Sequence, residues 1–267
     1  MASDHVELRR DGRWGGRVTN RALPGEDPSI DELDAEDRSE LSQVWHARAA
    51  SERRVAESFR VIEAALRRLG APSDLVLLAE RAVDDEHRHA ELCRLVASRF
   101  HGSELPPPEA LPHAVPAHRG ASHELKQSLF VIGQSCMNET LASAFLEKSL
   151  SAAAGPTADV ALRELLSDEI DHARLGWAYL ATTTREQRAE IGPWLLPMAK
   201  ANLRMWRESP RAYPDRARLW EQGAPSRDMV EEALLTALGE LIVPGLARFD
   251  LPTEGIVRWL ADGAKTS

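Results

Sequence analysis

Cysteine is almost absent, with two in 267 residues, too few for a disulfide framework. Basic residues are in deficit: 33 Lys and Arg stand against 42 Asp and Glu, a net charge of −9. That argues against a chain that works by neutralising phosphates, and no basic stripe interleaved with aromatics occurs. Long apolar runs are missing too. No segment reaches the roughly 20 apolar residues needed to cross a bilayer, and the opening MASDHVELRRDGRWGG lacks the apolar core of a secretory signal. The expectation is a cytoplasmic protein with neither nucleic acid nor membrane as partner. With 43% hydrophobic residues, the chain can build one large domain or a core bundle with appended helices.

Breaker residues are bunched. Gly15-Gly16, Pro24-Gly25 and an acidic run make residues 1–36 a polar arm. Between residue 37 and about 184 come four long segments of helical periodicity, separated at Gly70-Ala71-Pro72, at a Pro-rich stretch over 101–120, and at Gly155-Pro156. Two junctions are tight and make antiparallel hairpins. The third is a loop of about 20 residues, long enough at roughly 3.3 Å per residue to run the length of a bundle. The predicted fold is all-α, two helical hairpins joined by a long crossover, with a C-terminal helical extension over 185–267. That extension is interrupted at Pro193, Pro197, Pro210 and Pro214 and reads as cover for the bundle or as an oligomer surface, possible in a homodimer.

Residues three and four apart share a helix face, so each segment reduces to a stripe. The first runs Leu41, Trp45, Arg48, Glu52, Val55, Phe59, Ile62, Leu66, Leu69. The second runs Leu75, Ala79, Ala82, Glu86, His89, Cys93, Val96, Phe100. The third runs Leu125, Leu129, Ile132, Cys136, Glu139, Ser143, Leu146, Leu150, and the fourth Leu162, Leu165, Glu169, His172, Gly176, Tyr179. Every stripe is apolar at its ends and carries a glutamate near its middle. Glu57 competes with Glu52, but at 100° per residue from Val55 it falls about 160° away while Glu52 lies about 60° off.

One Glu-x-x-His means little, because 26 glutamates and 9 histidines in 267 positions give about one occurrence by chance. Two copies, in AVDDEHRHAELC (82–93) and LLSDEIDHARLGWAYL (165–180), are different. Both sit inside an apolar stripe, both follow an aspartate (Asp85, Asp168), and the glutamates trail a lone stripe glutamate by 34 and 30 residues. Four carboxylates in one core are prohibitive as bare anions. No lysine is near, and Arg48 alone cannot balance them. Two divalent ions can, and an oxygen-rich set with two imidazoles and open positions suits iron or manganese better than structural zinc.

Two single glutamates and two Glu-x-x-His pairs resemble the ferritin-like di-iron carboxylate superfamily over about 37–183, and DEHRH (85–89) resembles the signature of its oxygen-activating branch. The resemblance implies a ferritin-like four-helix bundle with Glu52, Glu86, His89, Glu139, Glu169 and His172 as metal ligands. Asp85 and Asp168 would each accept the free ring N–H of the histidine on the other hairpin. The second copy, DEIDH, departs by having Asp171 where arginine often stands. Cys93 replaces the tyrosine of radical-forming relatives, and some hydroxylases pair a cysteine there with a hydroxylic residue at the position of Ser143, which makes both candidates for roles near the site. The implied activity is a di-iron oxidase or oxygenase using dioxygen, a small organic substrate and an external electron donor, for hydroxylation, desaturation or N-oxygenation. The implied cofactor is two iron ions, with manganese or a mixed pair as the alternative. A ferroxidase of iron handling and a di-manganese, catalase-like peroxide disproportionation are the competing functions. Ser143, Ala173 and Gly176 are expected to leave room for substrate; His113, His118 and His123 are expected in solvent; Cys93 and Cys136 are expected as separate thiols.

Overall fold

The computed structural model describes residues 22–109, 111–208 and 214–264. Most of the N-terminal arm, with Gly15-Gly16, and the break at Pro210 lie outside them. Within them the chain is all-helical. Helix α1 (Ala35–Arg68) begins at Asp34, whose carboxylate accepts from the Asp37 N–H at 2.9 Å, and α2 is Ser73–His101. Helix α3 runs from His123 to Ala152 in three pieces: α-helical His123–Val131, π-helical Ile132–Asn138 and α-helical Glu139–Ala152. Pro156 occupies the first turn of α4 (Pro156–Thr182), where its missing N–H costs nothing.

Hydrogen bonds between helix ends fix the topology. Arg99 near the end of α2 donates to Thr157 at the start of α4, at 3.2 Å. Asp27, the cap of the short helical turn Pro28–Asp31 that leads into α1, accepts from the Thr157 N–H at 2.8 Å. Helices α1 and α4 therefore start, and α2 and α3 finish, at the same end of the bundle. The crossover tracks α1: the Pro106 carbonyl lies 3.1 Å from His46 Nε2, the Pro108 carbonyl accepts from Arg53 at 2.8 Å, and His113 meets Ser58 at 3.1 Å. Two hairpins and a long crossover are thus present as predicted.

The extension wraps the bundle. Helix α5 (Arg185–Ile191), α6 (Leu195–Arg207), α7 (Arg227–Ala237) and α8 (Glu254–Ala261) share one continuous apolar core with the four long helices. Pro193 does interrupt it, inside the 3-10 turn Gly192–Trp194. Pro197 does not, because it falls in the first turn of α6, where its nitrogen needs no partner. The segment before α7 is locked down by side chains of α1. The Trp45 indole donates to the Gln222 carbonyl at 3.1 Å, Arg48 donates to the Gly223 carbonyl at 3.0 Å, and buried Asp37 pairs with Arg216 and Arg218. Gly223 is required there: its φ is +82°, and a Cβ would stand 2.8 Å from the Trp45 ring. No helix among the described residues is long and apolar enough to cross a membrane.

Candidate metal centre

The mid-helix glutamates and histidines meet at the bundle's centre. Each helix supplies its stripe, and the apolar residues above and below force the polar ones inside. Glu52, Glu86, His89 and Glu169 form one group whose ligand atoms lie within 4.8 Å of one another, and Glu86, Glu139, Glu169 and His172 form a second. Glu86 and Glu169 belong to both. Two donors about 2.1 Å from one ion stand up to about 4.2 Å apart, so each group is close to the dimensions of a single metal site and needs only a small contraction to close on an ion. All six residues are buried, Glu86 and His89 completely. Glu57 lies on the other side of α1, ion-paired with Arg60.

Ring orientation follows from the aspartates. His89 Nε2 is 3.1 Å from Asp168 Oδ2, and His172 Nε2 is 3.6 Å from Asp85 Oδ2. Asp168 thus accepts from the histidine of the other hairpin, as the resemblance implies, whereas Asp85 faces His172 Nε2 without a hydrogen bond, and each Nδ1 turns inward. His89 Nδ1 is 3.6 Å from Glu86 and 3.7 Å from Glu169; His172 Nδ1 is 3.1 Å from Glu86 and 3.5 Å from Glu169. Glu86 and Glu169 therefore each reach both imidazoles. Both Glu86 oxygens, Glu169 Oε2 and both Nδ1 atoms are buried without a hydrogen-bond partner. Orphaned buried acceptors are costly, and their convergence from two helices, α2 and α4, fits a pair of cations.

Without cations the cluster holds itself together with protons. Burial pushes the His89 pKa down, but the Asp168 hydrogen bond and the carboxylates of Glu86 and Glu169 outweigh it and raise it to about 10. His172 is likewise raised by Asp85, Glu169 and Glu86 against the effect of burial. Burial and the charges of Glu169 and Glu86 raise Glu139 well above the ordinary carboxylate range. A metal must displace these protons, since its ligands bind deprotonated. Metal binding at neutral pH should therefore release more than one proton per chain, and affinity should rise with pH towards about 10, where His89 loses its proton. Calorimetric titration in buffers of different ionisation enthalpy reads this directly, and a heat independent of buffer would contradict it.

Two supports went unforeseen in the sequence. Arg88, the arginine of DEHRH, donates to Asp168 at 2.6 Å and Asp85 at 2.9 Å and pairs with Glu164 at 3.3 Å. It ties together the two aspartates that face the two histidines. Arg88→Leu is expected to weaken metal binding about 10- to 100-fold, the usual cost of losing such a partner, with helix content kept; unchanged affinity in a metal-competition titration would rule this role out. The other support is the π-helical stretch before Glu139. From it Gln134 Nε2 donates to Glu139 Oε1 at 2.6 Å, and Asn138, held by the Trp206 indole at 3.0 Å, lies 3.4 Å from the same oxygen. DEHRH was a usable signal for Arg88, but nothing in IGQSCMN announces a π turn.

Some expectations are corrected, while the exposure of His123 and the separate thiols of Cys93 and Cys136 hold. Ser143 does not face the cluster: its hydroxyl is bonded to the Glu139 carbonyl at 2.9 Å, and the residue lines an outer cleft with Ala173. Ala142 lines the small void at the cluster instead. Gly176 is no substrate space, because a Cβ there would lie 2.4 Å from the Cys136 backbone nitrogen. His113 and His118 are half-buried, with His118 edge-on to Trp194 at 5.5 Å; His123 is exposed. Cys93 is fully buried in the core one turn past His89 and in neither ligand group, and no disulfide joins it to Cys136.

The fold and site define an all-helical protein whose buried glutamate and histidine groups are compatible with a metal centre. No protein-family model, curated protein or solved structure matches the chain.

Proposed function

We propose that this is a ferritin-like di-metal carboxylate protein, an oxidase or oxygenase acting on a small organic molecule. The observation that carries the reading is the pair of ligand groups sharing Glu86 and Glu169. Glu52 and His89 would complete one ion, Glu139 and His172 the other. Oxygen-dominated ligands with one imidazole per ion suit iron, with manganese next. Two ferrous ions held there would reduce dioxygen and, with electrons returned by an external donor, drive hydroxylation, desaturation or N-oxygenation of the substrate. Asp168 keeps the His89 Nδ1 turned inward, Asp85 stands beside the His172 ring, and Arg88 keeps both aspartates in place. Gln134 positions the Glu139 carboxylate, and Phe59, with its ring 4.8 Å from His172, shields that side from water. A void of about 40 Å³ bordered by Glu52, Glu139 and Glu169 leaves space at the cluster for one small molecule.

The test is anaerobic loading with ferrous ion followed by an oxygen pulse. One dioxygen consumed per pair of irons, with iron uptake stopping at two per chain, is the expected result. Uptake continuing to many irons would replace this reading with iron storage. Vigorous oxygen release from hydrogen peroxide by the manganese-loaded protein would replace it with peroxide disproportionation.

A further inference from the structure

A cavity of about 420 Å³ lies between the crossover, the π-helical part of α3 and helix α6. Its size falls within the range of about 300–1,000 Å³ typical of small-molecule sites. It shares Arg54, Val55, Asn138 and Met205 with the 40 Å³ void that borders Glu52, Glu139 and Glu169. Gln134, bonded to Glu139, is also in its wall. The cavity thus backs onto the cluster through the residues that hold Glu139.

Its chemistry is lopsided. The walls are largely apolar, with Phe130, Trp194 and Met198 prominent, and the polar groups are one cation, the Arg54 guanidinium, with the neutral Ser58 hydroxyl, the Gln134, Asn138 and Asn202 amides and the imidazoles of His113 and His118. Among the described residues that line it there is no aspartate or glutamate, in a chain of net charge −9. Glu57, near His113, is engaged by Arg60. Burial lowers the pKa of both imidazoles, which keeps them neutral hydrogen-bonding groups at pH 7. His118 is presented with φ at +39°, a left-handed conformation that non-glycine residues adopt at a cost and that clusters at ligand clamps.

We propose that this cavity binds an apolar organic molecule bearing a carboxylate, with the carboxylate held by the Arg54 guanidinium and the apolar body lying along the π-helical face of α3. It deepens the di-metal reading by naming the substrate class of that site, but binding itself needs no metal. An apolar body fits the Phe130, Trp194 and Met198 walls, while a cation would find no counter-charge. The expected specificity is for acids over isosteric alcohols and amines.

The experiment uses 2-naphthoate, 2-naphthol and 2-naphthylmethylamine as probes, titrated calorimetrically into the metal-free full chain at pH 7.5. Naphthoate is expected to bind one per chain, at least about tenfold tighter than either analogue, the difference a charge-assisted hydrogen bond brings. Arg54→Gln should remove that preference. Ala201→Trp, at an exposed wall position on α6 where bulk does not disturb the core, should weaken all three probes, and Gly133→Leu should do the same from the opposite wall. Equal affinities for the three probes, no saturable binding, or naphthoate binding indifferent to both Ala201→Trp and Gly133→Leu would overturn the proposal. Because the titration is run without metal, failure of the di-metal reading shows separately, as a chain that binds naphthoate but takes up no iron.

Discussion

Stripping the ions from the loaded protein is expected to lower its unfolding midpoint by about 10 °C, and Glu86→Ala to abolish the difference. A ligand present at 1,000 times its dissociation constant stabilises the native state by about 4 kcal/mol, and in a chain of this size each kcal/mol moves the midpoint by about 2–4 °C. Glu86 carries the largest share because it reaches both imidazoles, at 3.6 and 3.1 Å, and both its oxygens lack other partners. On the di-metal reading, losing it would remove a ligand from both groups at once. Glu52→Ala should act on one ion only, since Glu52 belongs to a single ligand group, and should leave part of the shift. Calorimetric melts of loaded and chelated protein make the comparison; identical midpoints for the unmutated chain would mean the buried carboxylates serve something other than metal.

Gly176→Ala is expected to destabilise the protein by about 3 kcal/mol or more, at the upper end of overpacking costs. The added methyl would meet the Cys136 nitrogen at 2.4 Å and the Ser135 carbonyl carbon and Cβ at 2.6 Å. Two of these are backbone atoms, inside the π-helical stretch, so no side chain can swing aside. Gly176 lets α4 and α3 approach closely enough for His172 and Glu139, one turn away on each helix, to share a ligand group. A drop in the denaturant midpoint with unchanged slope is the expected signature. A variant as stable as the parent would show that the two helices can separate here at no cost.

The four long helices were legible because their stripes are locally complete: apolar residues at both ends fix the inward face, so Glu52, Glu86, Glu139 and Glu169 could only converge. Of the exchange of aspartates between hairpins that the resemblance implies, the Asp168–His89 half is a hydrogen bond, while Asp85 stands 3.6 Å from His172. What stayed hidden depends on partners far away in sequence. Ser143 lies on the stripe by spacing, but its hydroxyl turns back to the Glu139 carbonyl, a local alternative that periodicity cannot register. Gly176 looked like empty space because a sequence does not show the helix lying across it. The crossover histidines seemed solvated from the prolines around them, whereas Ser58 and Trp194, remote in the chain, draw His113 and His118 inward. The π turn has no compositional mark, yet it sets the position of Gln134 against Glu139.

The central claim is that six side chains from four helices hold two metal ions. Elemental analysis of the purified chain after ferrous and manganous loading and removal of excess metal tests it most directly. The account predicts two ions per chain for the unmutated protein and none retained by the combined Glu86→Ala and Glu169→Ala variant. A chain that retains no ion with all six residues intact would contradict it.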